Sequence, residues 1–150
     1  MCIRDSLLRE GALQERLDKR YSERHNIVSA KELGAYVQEL KARFMRNAPP
    51  LAKVLYDDKL HVVRNALGLH TTLTRSHGSR VQKRREIRIS ALFKQAAPEF
   101  LRMIVVHELA HMKHANHDRD FYALCTYMDP DYHQIELDLR LWLTARDWSN

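Results

Sequence analysis

HELAHMKHANHD, residues 107–118, places four histidines and one glutamate within twelve positions. His107 and His111 lie four residues apart, so on a helix their rings project from the same face. Two imidazoles in this arrangement can hold one tetrahedral ion at about 2.0–2.1 Å. Glu108 follows the first histidine, near enough to act on a metal-bound water without ligating the metal itself. The stretch predicts a helical metal site, and the alternative is a histidine-rich amphipathic helix whose rings only form hydrogen bonds.

The third ligand is either His114 or His117. His114 shares a face with the first histidine, but at about 1.5 Å per residue it lies roughly 4.5 Å beyond the second along a helix that we expect to run to residue 114. His117 can reach the metal only if the chain reverses, which Asn116 permits because asparagine tolerates the left-handed conformation that ends helices. Asp118 then begins the next helix, and His114 is left as a solvated residue at the helix end. The predicted ligands are His107, His111 and His117.

Three protein nitrogens leave a fourth position for water, which is typical of catalytic rather than structural zinc. Zinc lowers the pKa of that water to about 7, and Glu108 is the expected base that takes its proton. The same carboxyl can later protonate the leaving group. Copper, nickel and cobalt accept similar ligands, so zinc is inferred from the ligand type. No substrate-binding residue is identified; for Tyr132 and His133 a core or surface role is favoured over one in the site.

The remaining chain predicts an α+β domain. Apolar residues recur at helical spacing over residues 7–20. Ser29 and Glu32 form a capping box before a second helix that ends by Pro49. Short strands are expected at 54–56, 61–63, 69–75 and 87–90, with a reversal at 77–79. Further helices are expected at 98–114, 118–128 and 132–146, the first with Pro98 at its first position.

Composition limits the protein class. With 150 residues the chain is expected to form one domain, residues 1–150. It has no apolar run long enough for a membrane span, no signal peptide, and two cysteines that make no disulfide framework. We expect a cytoplasmic monomer. The net charge of +6 permits nucleic-acid binding, but no recognition motif supports it.

Three stretches resemble the YgjP-like metallopeptidase family of bacterial zincin-type proteins. They are FLRMIVVHELAHMKHANHDRDFYAL (100–124), MDPDYHQIELDLRLWL (128–143) and RNAPPLAKVLYDDKLHVVRNALGLHTTLTR (46–75). The resemblance implies a small zincin-like domain with N-terminal helices, a small antiparallel or mixed sheet, the HExxH active-site helix and two C-terminal helices. It also implies an edge strand beside the metal cleft, where a peptide docks by strand addition.

The family pattern of H-E-L-x-H, five residues and a further histidine falls on the same three histidines and on Glu108. Phe121 and Tyr122 match the family's aromatic pair, which implies that they pack beneath the site. Many relatives carry a Trp-Gly-Ser-Cys stretch where this chain has His77-Gly78-Ser79-Arg80, so no substrate contact is transferred from that stretch. Residues 1–6, MCIRDS, match nothing in the family and are expected to be non-native or disordered.

The leading functional prediction is a zinc-dependent metallopeptidase in which Glu108 activates a zinc-bound water. The alternative substrate is a nucleotide, because similar members have been associated with UTP pyrophosphatase activity, and arginines suit a polyphosphate. A third, non-enzymatic possibility is a basic module that binds nucleic-acid phosphates. Both alternatives draw on the same basic cluster, whose residues are Arg75, Arg80, Lys83, Arg84, Arg85 and Arg88.

Overall fold

The computed structural model describes residues 3–65, 68–73 and 86–149, with side chains described at 11–60, 62 and 86–144. Helices precede and follow a strand-rich middle, so the predicted α+β class is confirmed. The elements are α1 (Ile3–Arg20), α2 (Ala30–Phe44), β1 (Lys53–Asp57), β2 (Leu60–Asn65), β3 (Gly68–Leu73), β4 (Glu86–Ser90), a short 3-10 helix (Ala91–Gln95), α3 (Pro98–His111), α4 (Arg119–Met128) and α5 (Tyr132–Ser149).

Helix α2 begins with the predicted capping box. The Ser29 hydroxyl accepts from the Glu32 backbone N–H at 3.0 Å, and the Glu32 carboxylate accepts from the Ser29 N–H at 3.1 Å. Two N–H groups that have no partner inside the helix are thereby satisfied. The apolar face of the helix, with Leu33 and Val37 fully buried, then packs into the core.

Helix α3 is the centre of the core. Pro98 lies at its start, and the run from Met103 to Val106 is fully buried. A helix that is apolar on all sides has to be surrounded by other elements, and α3 contacts α2, α4, α5 and β4. Because the buried run leads directly into His107, the core fixes the direction and height of the first predicted ligand.

The strands form two separate two-stranded sheets within the described part of the chain. β1 pairs in parallel with β4, placing Leu55 opposite Arg88, and β2 pairs antiparallel with β3, placing Val62 opposite Thr71. Parallel neighbours need a long crossover, and residues 58–85 connect this pair. The sequence predicted each strand but not this division. The predicted reversal at 77–79 lies outside the described residues.

Helix α5 joins the N-terminal helix to the rest of the molecule. Tyr21, which follows α1, donates its hydroxyl to Asp138 of α5, and Gln134 donates to the other oxygen of that carboxylate at 2.9 Å. The Tyr21 ring also stacks on Phe100 of α3, with 4.4 Å between centroids. In α4, the Cys125 thiol is fully buried and forms no disulfide. The described helices include none long and apolar enough to cross a membrane.

The end of α3 differs from the prediction. We expected the helix to continue to His114, but it ends at His111. Beyond it the backbone tightens, since the N–H groups of Met112 and Lys113 bond to carbonyls three residues earlier, at 3.0 and 3.1 Å. Residues 112–116 contain neither glycine nor proline, and the stop signal used in the prediction, Asn116, lies beyond the observed end of the helix. His114 therefore lies beyond the helix and is half-buried, and it is not a solvated helix end.

Candidate metal centre

The three histidines predicted as ligands meet at the C-terminal end of α3. His111 Nε2 lies 3.2 Å from His107 Nε2 and 2.9 Å from His117 Nε2. His107 is buried, and the other two are half-buried. In the described part of the chain, these three side chains form the group close enough to share an ion, and their candidate ligand atoms lie within 4.8 Å of one another. The chain reversal after His114 thus brings His117 back to the helix, as the spacing required.

The spacing of the nitrogens fits a common divalent ion. Ligands at about 2.0–2.1 Å in a tetrahedral arrangement stand roughly 3.3–3.4 Å apart, slightly farther than the two separations found here. The tautomer of His111 agrees, because its Nδ1 lies 3.0 Å from the carbonyl oxygen of His114. A carbonyl only accepts, so Nδ1 carries the proton and the neutral ring presents a lone pair at Nε2. The donor set can therefore hold a metal ion.

A comparison with known protein families identifies the family of this chain. A family model described as a YgjP-like metallopeptidase domain matches residues 7–141. The chain belongs to the YgjP-like family. A relative from Escherichia coli (strain K12), named UTP pyrophosphatase, is 51% identical over 139 residues, which cover 93% of this chain and 83% of the relative. No solved structure matches the chain.

In this YgjP-like chain, Phe121 supports all three rings from below. Its centroid lies 5.1 Å from that of His107, 4.6 Å from that of His111 and 4.7 Å from that of His117. Asp118 fixes this placement, since its side chain accepts from the Phe121 N–H at 2.9 Å and so begins α4. Tyr122 lies at the edge of the site, 6.2 Å from the His117 ring. The packing that the family resemblance implied for Phe121 is confirmed.

Glu108 is placed by α3 next to the buried His107, and its own side chain is only partly buried. Its carboxylate is not part of the group of ligand atoms described above. This position agrees with a residue that lies beside the metal site without ligating. Its catalytic role remains a prediction.

The basic cluster is only partly described. Arg75, Arg80, Lys83, Arg84 and Arg85 lie outside the described residues. Arg88 donates to Asp57 at 2.6 Å, which joins β4 to β1, and forms an ion pair with Glu86 at 2.8 Å, so two carboxylates already neutralise its charge. Together with the Lys59 N–H, the first cause, Arg88 lowers the pKa of Asp57 below its usual value. The prediction that Arg88 binds phosphate is not supported.

Two buried polar residues of α5, Tyr132 and Glu136, lie on the side of His107 away from the other histidines. The sequence did not indicate that these two residues belong together. Tyr132 is a fully buried core residue, in agreement with the role favoured from the sequence, and its hydroxyl lies 2.8 Å from His107 Nδ1. Glu136, one helical turn further along α5, is 5% exposed. The spacing of four residues between Tyr132 and Glu136 was the available signal. His133 is exposed and faces Tyr122, with 5.3 Å between the rings.

Proposed function

We propose that this protein is a zinc-dependent hydrolase that cleaves UTP to UMP and pyrophosphate. The substrate rests on one observation, the 51% identity to a relative named UTP pyrophosphatase over 93% of this chain. The hydrolase chemistry is supported by the three convergent Nε2 atoms of His107, His111 and His117. From the sequence, peptide cleavage was the leading candidate activity and UTP hydrolysis the alternative. Because of the name of that relative, we now place UTP hydrolysis first.

In this proposal the three imidazoles bind zinc, which suits nitrogen ligands of this kind. When bound, zinc acidifies water and polarises the oxygen of the group under attack. Glu108 takes the proton of the attacking water as the water oxygen bonds to the α-phosphorus of UTP, and the bond between that phosphorus and the oxygen that links it to the β-phosphate breaks. The same carboxyl can return the proton to the departing pyrophosphate or to solvent. His107 stays buried and fixes the site, while the partly buried His111 and His117 leave it accessible to substrate.

Peptide hydrolysis is the second candidate, favoured by the description of the matching family as a metallopeptidase domain. The same groups serve it, since water attacks the carbonyl carbon, the C–N bond breaks and Glu108 passes a proton to the leaving amine. A basic nucleic-acid module is the third candidate and rests on the net charge of +6 and on the basic residues between positions 75 and 88 of the sequence. It requires neither Glu108 nor an open metal position.

The Glu108→Gln variant tests these proposals. Zinc-loaded protein is incubated with UTP or with an unfolded protein, and UMP, pyrophosphate and new amino termini are quantified. We expect UMP and pyrophosphate in equal amounts, formed about 10²–10⁴-fold more slowly by Glu108→Gln at unchanged zinc content. Glu99→Gln is the matched control, because Glu99 is exposed in the first turn of the same helix, and it should behave as wild type.

Other outcomes would distinguish the three candidate functions. New amino termini without UMP, lost in Glu108→Gln, would establish the peptidase instead. Binding of DNA or RNA that weakens steeply with salt and is unchanged in Glu108→Gln would favour the nucleic-acid module. A variant that releases UMP at the wild-type rate would remove Glu108 from the mechanism.

A further inference from the structure

The inner nitrogen of His107 faces a buried phenol. His107 and Tyr132 are 1% and 0% exposed, and 2.8 Å separates Nδ1 from the hydroxyl oxygen. The two rings lie nearly parallel, at 17°. A histidine whose Nε2 belongs to a metal site needs a partner that fixes its Nδ1, since that partner sets both the tautomer and the orientation of the ring.

A carboxylate stands behind the phenol. Tyr132 and Glu136 are four residues apart on α5 and so share a face. Glu136 Oε1 lies 3.9 Å from Arg140 Nε, while Oε2 is buried and finds no hydrogen-bond partner among the described residues. The phenol thus has a buried acceptor on its own helix, while its hydroxyl oxygen lies 2.8 Å from His107 Nδ1.

The chemistry of His107, Tyr132 and Glu136 determines which atoms donate and which accept a proton. A carboxylate can only accept, so Glu136 favours the orientation in which the Tyr132 hydroxyl proton points away from His107. The phenol oxygen then accepts from Nδ1–H of His107, which leaves the lone pair of that ring at Nε2, on the side of the other two histidines. The His114 carbonyl imposes the same tautomer on His111. Two of the three rings thus present Nε2 lone pairs.

We propose that Tyr132 and Glu136 are positioning residues that hold His107 in its Nδ1–H form and strengthen metal binding through it. Neither residue contacts the substrate or the metal. Outer partners of metal-binding histidines typically change metal affinity about 10–100-fold when removed, and we expect this range for Tyr132→Phe. The inference rests on the proposed metal site and adds the residues that tune it.

The chain offers a matched control on the same helix. Tyr21 donates its hydroxyl to a buried carboxylate of α5, that of Asp138. This pair joins α5 to the segment after α1 and involves none of the three histidines. Tyr21→Phe and Asp138→Asn therefore remove the same chemical groups as Tyr132→Phe and Glu136→Gln, without touching the site.

The test measures the zinc dissociation constant of each variant by competition with a chelator, and the thermal stability of each metal-free protein separately. We expect Tyr132→Phe to bind zinc about 10–100-fold more weakly, and Glu136→Gln to weaken binding to a smaller degree. The double variant should match Tyr132→Phe, because Glu136 acts only through the phenol. Both controls should bind zinc as wild type does, even where they lower the melting temperature.

A failure of the proposed function can be distinguished from a failure of this inference. If wild-type protein binds no zinc, the proposed function fails and this inference with it. If wild type binds zinc and the Tyr132 and Glu136 variants bind it equally tightly, only this inference is overturned. Should Tyr132→Phe fail to fold, Glu136→Gln decides alone. In metal-free protein, the Nδ1–H proton resonance of His107 provides a second readout, which should move in Glu136→Gln and stay in place in Asp138→Asn.

Discussion

His114 and His117 are three residues apart and contribute in different ways. His117 brings its ring nitrogen to the other two histidines, whereas His114 provides a backbone carbonyl to the Nδ1 of His111. A substitution removes the side chain of a residue but keeps its backbone carbonyl. Substituting His117 therefore removes a proposed metal ligand, whereas substituting His114 keeps the carbonyl that orients His111.

We expect His117→Ala to lose most bound zinc, because two imidazoles hold the ion far less tightly than three. His114→Ala keeps the carbonyl that orients His111, so its zinc content should stay near that of wild type. Elemental analysis of both variants after zinc loading and desalting checks this. An empty His114→Ala protein would show that the assignment of the third ligand is wrong.

At the scale of elements, two helix starts have similar chemistry and different consequences. Ser29 caps α2, far from the histidines in the chain, and Asp118 caps α4 immediately after His117. Both caps satisfy backbone N–H groups that the helix leaves open. Only the cap at Asp118 also holds the backbone that presents a ligand.

Replacing either capping residue by alanine should lower the free energy of unfolding by about 0.5–2 kcal/mol, measured by urea denaturation of the metal-free proteins. Asp118→Ala should in addition weaken zinc binding, since the segment carrying His117 loses its anchor at the Phe121 N–H. Ser29→Ala serves as the control and should bind zinc normally. Equal zinc affinity in the two variants would mean that α4 does not position His117.

Features coded by neighbouring residues were predictable from the sequence. The capping box at Ser29, the helix start at Pro98 and the cap at Asp118 each depend on a few adjacent positions, and the structure confirms all three. The meeting of the three histidines followed from helical spacing and one chain reversal. The predicted end of α3 was wrong, because the observed end depends on a turn that lacks a glycine or proline signal.

Long-range contacts could not be read in this way. The parallel pairing of β1 with β4 joins residues more than thirty positions apart, and no local pattern selects a partner. Glu136 reads as one more polar residue of an amphipathic helix until packing places it behind Tyr132. Both features depend on how helices and strands pack around α3, which the sequence pattern does not specify.

For the whole molecule, the site brings together parts of the chain that are separate in sequence. His107 and His111 belong to α3, His117 precedes α4, and α5 reaches the site through Tyr132. A ligand that binds only the folded state stabilises it according to its concentration and affinity. Metal binding and global stability should therefore be linked.

Removing zinc should lower the melting temperature. With free zinc at 100 times its dissociation constant, binding adds about 2.7 kcal/mol, which corresponds to roughly 5–10 °C for a domain of this size. Calorimetry with and without chelator measures the difference, and His117→Ala is the control that should show little of it. A wild-type melting temperature that does not respond to zinc would contradict a site formed only in the folded state.

Cys125 has a consequence for the protein's response to oxidants. Burial raises the pKa of its thiol to about 12, so at neutral pH the sulfur is protonated as well as enclosed. Peroxides and alkylating agents attack the thiolate, and this side chain offers them neither charge nor access. The core close to a proposed catalytic centre thus contains sulfur without becoming sensitive to redox conditions.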